Sequence, residues 1–230
     1  MLRSAADRQC VWQPHFRSYH FTPIEEFNMT YSQDLEPAAA RVSTALRKLA
    51  TAASGHLGSD CYIHAELGRV LLADCGFQAL RVVGFAAWRV GEGNGDVIAH
   101  APYVKGYLPA GVKGFAYHAW LDCSGFIVDF TTYQLRHKAQ ELDAMDGGHT
   151  TVNWCPAFLL LPKNSIRSYK EVAATLHPGV AYYEARPELE RALRTQFTLD
   201  PQDVHAARVI LANPGMTVLG PNGMARRIDQ

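Results

Sequence analysis

A chain of 230 residues, 48% hydrophobic and 19% charged, holds enough apolar material for a sizeable core and lacks the composition of a disordered segment. Its 22 basic residues balance 22 acidic ones, so there is no global electrostatic reason to expect nucleic acid or an anionic membrane as partner. Apolar runs such as residues 157–161 are too short to cross a bilayer and residues 1–27 carry no signal-like apolar run, so a cytoplasmic protein is expected.

Residues 1–33 are rich in aromatics and histidine, follow neither helical nor strand periodicity, and read as an N-terminal extension, either a docking arm or an irregular tail. From Leu35 the pattern changes: Leu35, Ala39, Val42, Leu46 and Leu49 recur at helical spacing, with Pro37 where a first turn tolerates it. This predicts a helix to about Ala53, and a single domain over residues 34–230. A glycine-punctuated loop, residues 54–60, leads into a second predicted helix that runs from Cys61 to about Leu72 and is closed by Gly76.

Residues 78–90 read as a strand, in which Gly84 signals a bulge or a close backbone approach. Residues 91–114 form a long glycine- and proline-rich excursion, expected to border a functional cleft. Two strands, residues 115–123 and 126–130, meet at Ser124-Gly125, a hairpin signal. A polar helix over residues 135–145, a strand over 157–161, and helices near 168–176, 187–195 and 201–212 complete the chain. Helices followed by antiparallel strands argue for an α+β fold.

Five cysteines, Cys10, Cys61, Cys75, Cys123 and Cys155, form an odd number without CxxC pairs, which speaks against a disulfide framework and a thiolate zinc site. His100, His137, His149, His177 and His205 show no ligand spacing, and neither a metal nor a cofactor is expected. A thiol is a poor nucleophile until deprotonated, and the first turn of a helix favours the thiolate through its N–H groups and dipole. Cys61 alone has that setting, since Cys75 lies at the opposite end of the same helix. A thiolate needs an imidazole partner, and the imidazole needs a third group to orient it. His118 and Asp129 lie on the two strands of the hairpin and come near each other when counted inward from its turn. An aspartate between Val128 and Phe130 is costly to bury without such a partner.

The run Gly58-Ser59-Asp60-Cys61, with Gly76-Phe77-Gln78-Ala79-Leu80-Arg81-Val82-Val83-Gly84-Phe85, resembles the nucleophile helix and following strand of transglutaminase-like proteins. Tyr117-His118-Ala119-Trp120 and Ile127-Val128-Asp129-Phe130-Thr131 resemble their histidine and aspartate strands. The resemblance covers residues 55–132 and implies a papain-like cysteine proteinase fold, shared with arylamine N-acetyltransferases, whose nucleophile helix packs on an antiparallel sheet.

The expected activity is that of a thiol hydrolase or acyltransferase acting on a small-molecule or peptide amide, ester or thioester, with Cys61, His118 and Asp129 as the triad. No glutamine precedes Cys61 as an oxyanion donor, so His56 or the Cys61 N–H is assigned that part, with Asp60 and Trp120 in support. Trp88, Tyr103, Tyr107, Phe115 and Tyr117 are candidates for a substrate groove, the alternative being plain core. The contrasting class is a non-catalytic binding module that keeps the trio as a structural network.

Overall fold

In the computed structural model the described residues are 24–53, 60–101 and 116–225. The first helix, α1, runs from Ile24 to Ala53. It starts well before Leu35, inside the stretch expected to be irregular, and Pro37 sits within it instead of in its first turn. The missing proline N–H removes one i→i−4 bond. Leu35, Ala39, Val42 and Leu46, all fully or almost fully buried on one face, hold the helix together through that defect.

Helix α2, Cys61–Asp74, has the predicted start, and its chain reverses after Cys75 at Gly76, whose φ is +90°. Strand β1 spans Leu80–Arg89, β2 Val97–His100, β3 His118–Cys123 and β4 Phe126–Asp129. Helix α3, Leu135–Asp146, precedes β5, Leu159–Pro162. Helix α4, Tyr169–Ala174, opens with a capping box between Ser168 and Glu171 and is followed by β6, Ala181–Ala185. Helices α5, Pro187–Leu193, and α6, Pro201–Ala212, follow, and the two-stranded ribbon of β7, Val218–Gly220, and β8, Gly223–Ala225, packs beside α1.

The fold is α+β, with a curled, half-barrel antiparallel sheet of six strands. Gly84 pairs with His118 of β3 and with Ala185 of β6, while Ala86 pairs with His100 of β2 and with Tyr183 of β6. β6 therefore runs along one edge of β1, and β2 and β3 share the other, β2 beside its second half and β3 beside its first. Residues 97–100 thus form a strand within the expected excursion, as a short run with two β-branched residues at its start.

Gly84 lies where three strands crowd. A Cβ there would stand 1.9 Å from the Glu184 carbonyl oxygen, so the residue marks a close backbone approach and not a bulge. The hairpin forms at Ser124 and Gly125, which both take positive φ, 47° and 89°, as a two-residue mirror-image turn requires.

The two faces of the sheet pack into different buried clusters. On one face Val83, Ala119, Leu121 and Val128 meet α1, α2 and α6. The other carries Ala86, Trp88, Trp120, Ile127 and Tyr183, with Leu135 and Ala139 of α3. No helix among the described residues is long and apolar enough to cross a membrane.

Candidate active site

Period-two alternation places Trp88, His100, His118, Trp120, Asp129 and Tyr183 on one sheet face, and the pairing register gathers them. His118 is the first residue of β3 and Asp129 the last of β4, so both stand at the open end of the hairpin. Extending the Leu121↔Val128 register puts Asp129 opposite Trp120, which makes His118 its diagonal neighbour. His118 Nε2 lies 2.7 Å from Asp129 Oδ2, with both side chains buried.

The carboxylate of Asp129 is saturated. Its Oδ1 accepts the Thr131 N–H at 2.9 Å and the Thr131 hydroxyl at 2.7 Å, and its Oδ2 accepts the Tyr183 hydroxyl at 2.8 Å besides His118. Burial alone would push this carboxyl up, but the charge and hydrogen bond of His118 and the two bonds from Thr131 hold it below the usual aspartate range. Tyr183 in turn accepts the Trp88 indole N–H at 2.8 Å.

Cys61 is the first residue of α2, half-buried beside Tyr117, and its thiol lies near enough to the His118 ring to act on it through charge and hydrogen bonding. Since Nε2 faces Asp129, Nδ1 is the ring nitrogen left for the sulfur. Burial would lower the pKa of His118, but the charge and hydrogen bond of Asp129, with a contribution from Cys61, outweigh it and raise the value to about 10. The imidazole is therefore a cation at neutral pH, in contact with a thiol at a helix N-terminus.

Trp88 stands edge-on to His118, centroids 4.7 Å apart, and Trp120 lies nearly parallel to it at 6.2 Å. Trp88 is 1% exposed, so it forms a wall behind the histidine and offers no surface to a groove, contrary to one of the two sequence readings. Tyr117 is half-buried, and burial followed by the nearby Cys61 raises its pKa.

Asp60 does not cap α2 with its side chain; its Oδ2 lies 3.2 Å from Nδ1 of His64. His64 Nε2 is 3.0 Å from the Tyr133 hydroxyl, which also receives Gln134 Nε2 at 2.8 Å. This second polar chain ties the start of α2 to the segment after β4, with Asp60 at its α2 end. His56, Tyr103, Tyr107 and Phe115 lie outside the described residues, as does the excursion from residue 102 to 115. Its described ends, Ala101 and Ala116, follow His100 and precede Tyr117-His118. Among the described residues no group of three or more His, Cys, Asp or Glu side chains is arranged to hold a metal ion.

Sequence reasoning missed Tyr183 and His100. The pair Tyr182-Tyr183 between Gly179 and Pro187 is a strand signal of aromatic residues bounded by breakers, and it is the signal that could have found β6. His100 was visible only as a scattered histidine, because nothing in the sequence reveals that β2 shares an edge with β3.

A family model described as a protein of unknown function (DUF2026) matches residues 39–209. No curated protein matches the sequence. A solved structure described as the crystal structure of genomics APC5867 is similar over 84% of this chain and 92% of its own, with a TM-score of 0.56 and 16% identity, a likeness of fold alone.

Proposed function

We propose that the chain, which belongs to the DUF2026 family, is a thiol hydrolase or acyltransferase of the papain-like kind that forms an acyl-enzyme on Cys61. One observation carries the reading: a cysteine at a helix N-terminus stands beside a buried histidine, on whose ring it acts, and Nε2 of that ring meets a saturated carboxylate. The Cys61 thiolate attacks the carbonyl carbon of an amide, ester or thioester and forms an S–C bond, while N–H groups at the start of α2 hold the oxyanion. Collapse breaks the bond to the leaving group, which takes the Nδ1 proton of His118. Neutral His118 then removes a proton from water or an amine as it attacks, the S–C bond breaks, and thiolate and imidazolium are restored. Asp129 keeps the ring aligned throughout.

The first test needs no substrate. Iodoacetamide at neutral pH should alkylate Cys61 at least about tenfold faster than Cys75, Cys123 or Cys155, as read by peptide mass mapping. Equal rates in the folded protein would move the reading to a non-catalytic binding module. A panel of peptide, arylamide, thioester and acyl-CoA substrates, with mass detection of the acyl-enzyme, then separates hydrolysis from transfer. Cys61→Ala should abolish turnover while leaving the fold intact.

A further inference from the structure

The direction of each bond around Asp129 is fixed by chemistry. An indole N–H can only donate, so the Tyr183 oxygen accepts from Trp88. A carboxylate can only accept, so the Tyr183 hydroxyl donates to Asp129 Oδ2. His118 Nε2 donates to that same oxygen. Tyr183 and His118 thus share one acceptor, and whatever electron density the tyrosine draws is withheld from the imidazolium.

We infer that Tyr183, oriented by Trp88, is a positioning residue that limits how strongly Asp129 holds the proton of His118 and so tunes the acid–base partner of Cys61. The inference rests on the proposed triad for its catalytic meaning, but its geometry stands without it. The hydroxyl comes from β6, a strand that contributes no other group to the trio, and it is buried with its ring edge-on to Trp88, centroids 5.9 Å apart. Burial and the charge of Asp129 raise the pKa of Tyr183 well above the phenol range, so it stays a neutral donor at all working pH values.

The consequence for the reaction concerns the second half of the cycle. His118 must be a cation to expel the leaving group but neutral to activate the incoming water or amine, and a histidine held too firmly in its charged form fails at the second task. Loss of the Tyr183 donor concentrates the charge of Asp129 on His118. Acylation would be little changed, and deacylation slower. Among the described residues, the other titratable or charged groups that face the pair are Cys61 from α2, His100 from β2, whose ring stacks on His118, and Lys138 of α3, which acts on His100.

The test is the ring titration of His118 in the full-length protein, followed by NMR with ¹⁵N-labelled histidine. Tyr183→Phe keeps the ring volume and removes only the hydroxyl, and should raise the His118 midpoint by about one pH unit, the size expected for one bond to a charged group. Incorporation of 3-fluorotyrosine, a stronger donor of the same shape, should lower that midpoint, and it serves where the phenylalanine variant does not fold. Midpoints unmoved by both changes, or moved opposite to these directions, would overturn the inference. A failure of the triad reading would look different: Cys61 would show no selective alkylation and no acyl-enzyme, whatever the His118 midpoint does.

Discussion

The rings of His100 and His118 lie nearly parallel, centroids 5.6 Å apart and 15° from coplanar directions, although they come from different strands laid end to end along β1. Their electrostatics are opposed. Burial, and then the neighbouring charge of His118, push His100 well below its ordinary value of 6.5, whereas Asp129 and Cys61 overcome burial to raise His118 to about 10. One ring of the stack is neutral at neutral pH, and the other is a cation.

This opposition predicts a stability maximum near the ordinary histidine pKa. His118 takes up its proton more tightly folded than unfolded, so its stabilising contribution is full below about 6.5 and is lost as pH rises toward about 10. His100 binds its proton more weakly folded than unfolded, so its burial costs stability as pH falls below 6.5. Asp129, with a lowered pKa, adds to acid destabilisation only below about 3.8. Urea unfolding across pH should show His100→Gln flattening the limb between pH 4 and 6.5, and His118→Gln flattening the alkaline limb. Identical pH profiles for these variants and the wild type would refute the assignment.

Asp129→Asn probes the four donors that converge on one carboxylate. An amide offers a single oxygen, so either the Thr131 pair or the His118 and Tyr183 pair must face an NH₂ group. Breaking a buried pair from one side costs about 3–5 kcal/mol, and losing the orienting carboxylate of a triad lowers turnover by about four orders of magnitude. Chemical denaturation and the Cys61 alkylation rate read the two effects separately. An asparagine variant with wild-type stability and alkylation would show that Asp129 neither supports nor orients His118.

Much of this arrangement was legible in the sequence because it is local. The start of α2 at Cys61 follows from a glycine-punctuated loop ahead of an apolar helical pattern, and the hairpin from Ser124-Gly125 between alternating runs. What escaped was set by distant pairing. β2 is a four-residue strand inside a glycine-rich stretch, and its placement beside β3 depends on β1 being long enough to serve both. Tyr183 reaches Asp129 only through the Ala86↔Tyr183 register, which no local pattern encodes. The early part of α1 was hidden by Pro37, which ordinarily marks a helix boundary but is overridden here by burial of Leu35 and Ala39.

Gly68→Ala tests how α2 seats on the sheet. A Cβ at Gly68 would come within 2.4 Å of Phe130 Cδ2, and Phe130 is 2% exposed and has little room to yield. Helix propensity favours alanine by about 1 kcal/mol, whereas overpacking a dense core costs about 1–3 kcal/mol, so the balance falls to net destabilisation. Urea titration should show a loss of roughly 1 kcal/mol, and Phe130→Leu added to the alanine variant should recover part of it. A stabilised single variant would mean that the helix has freedom to move off the ring.

Gly84→Ala is expected to be the more damaging change, because the obstacle is backbone. The new Cβ would lie 1.9 Å from the Glu184 carbonyl oxygen, with the end of the Trp120 ring at 2.9 Å on its other side. A side chain can rotate away, but a carbonyl in a ladder cannot move without its strand. β6 must separate from β1 around the Gly84↔Ala185 pair, and the Ala86↔Tyr183 pair lies next along the same face. The hydroxyl of Tyr183 should then leave Asp129, so the variant should lose more than about 2 kcal/mol of stability. It should also repeat the effect of Tyr183→Phe on the His118 titration in whatever fraction remains folded. A variant that stays fully stable but shifts the His118 midpoint would place the cause in Tyr183 alone. One that loses stability with His118 unmoved would show that β6 holds the sheet without tuning the site.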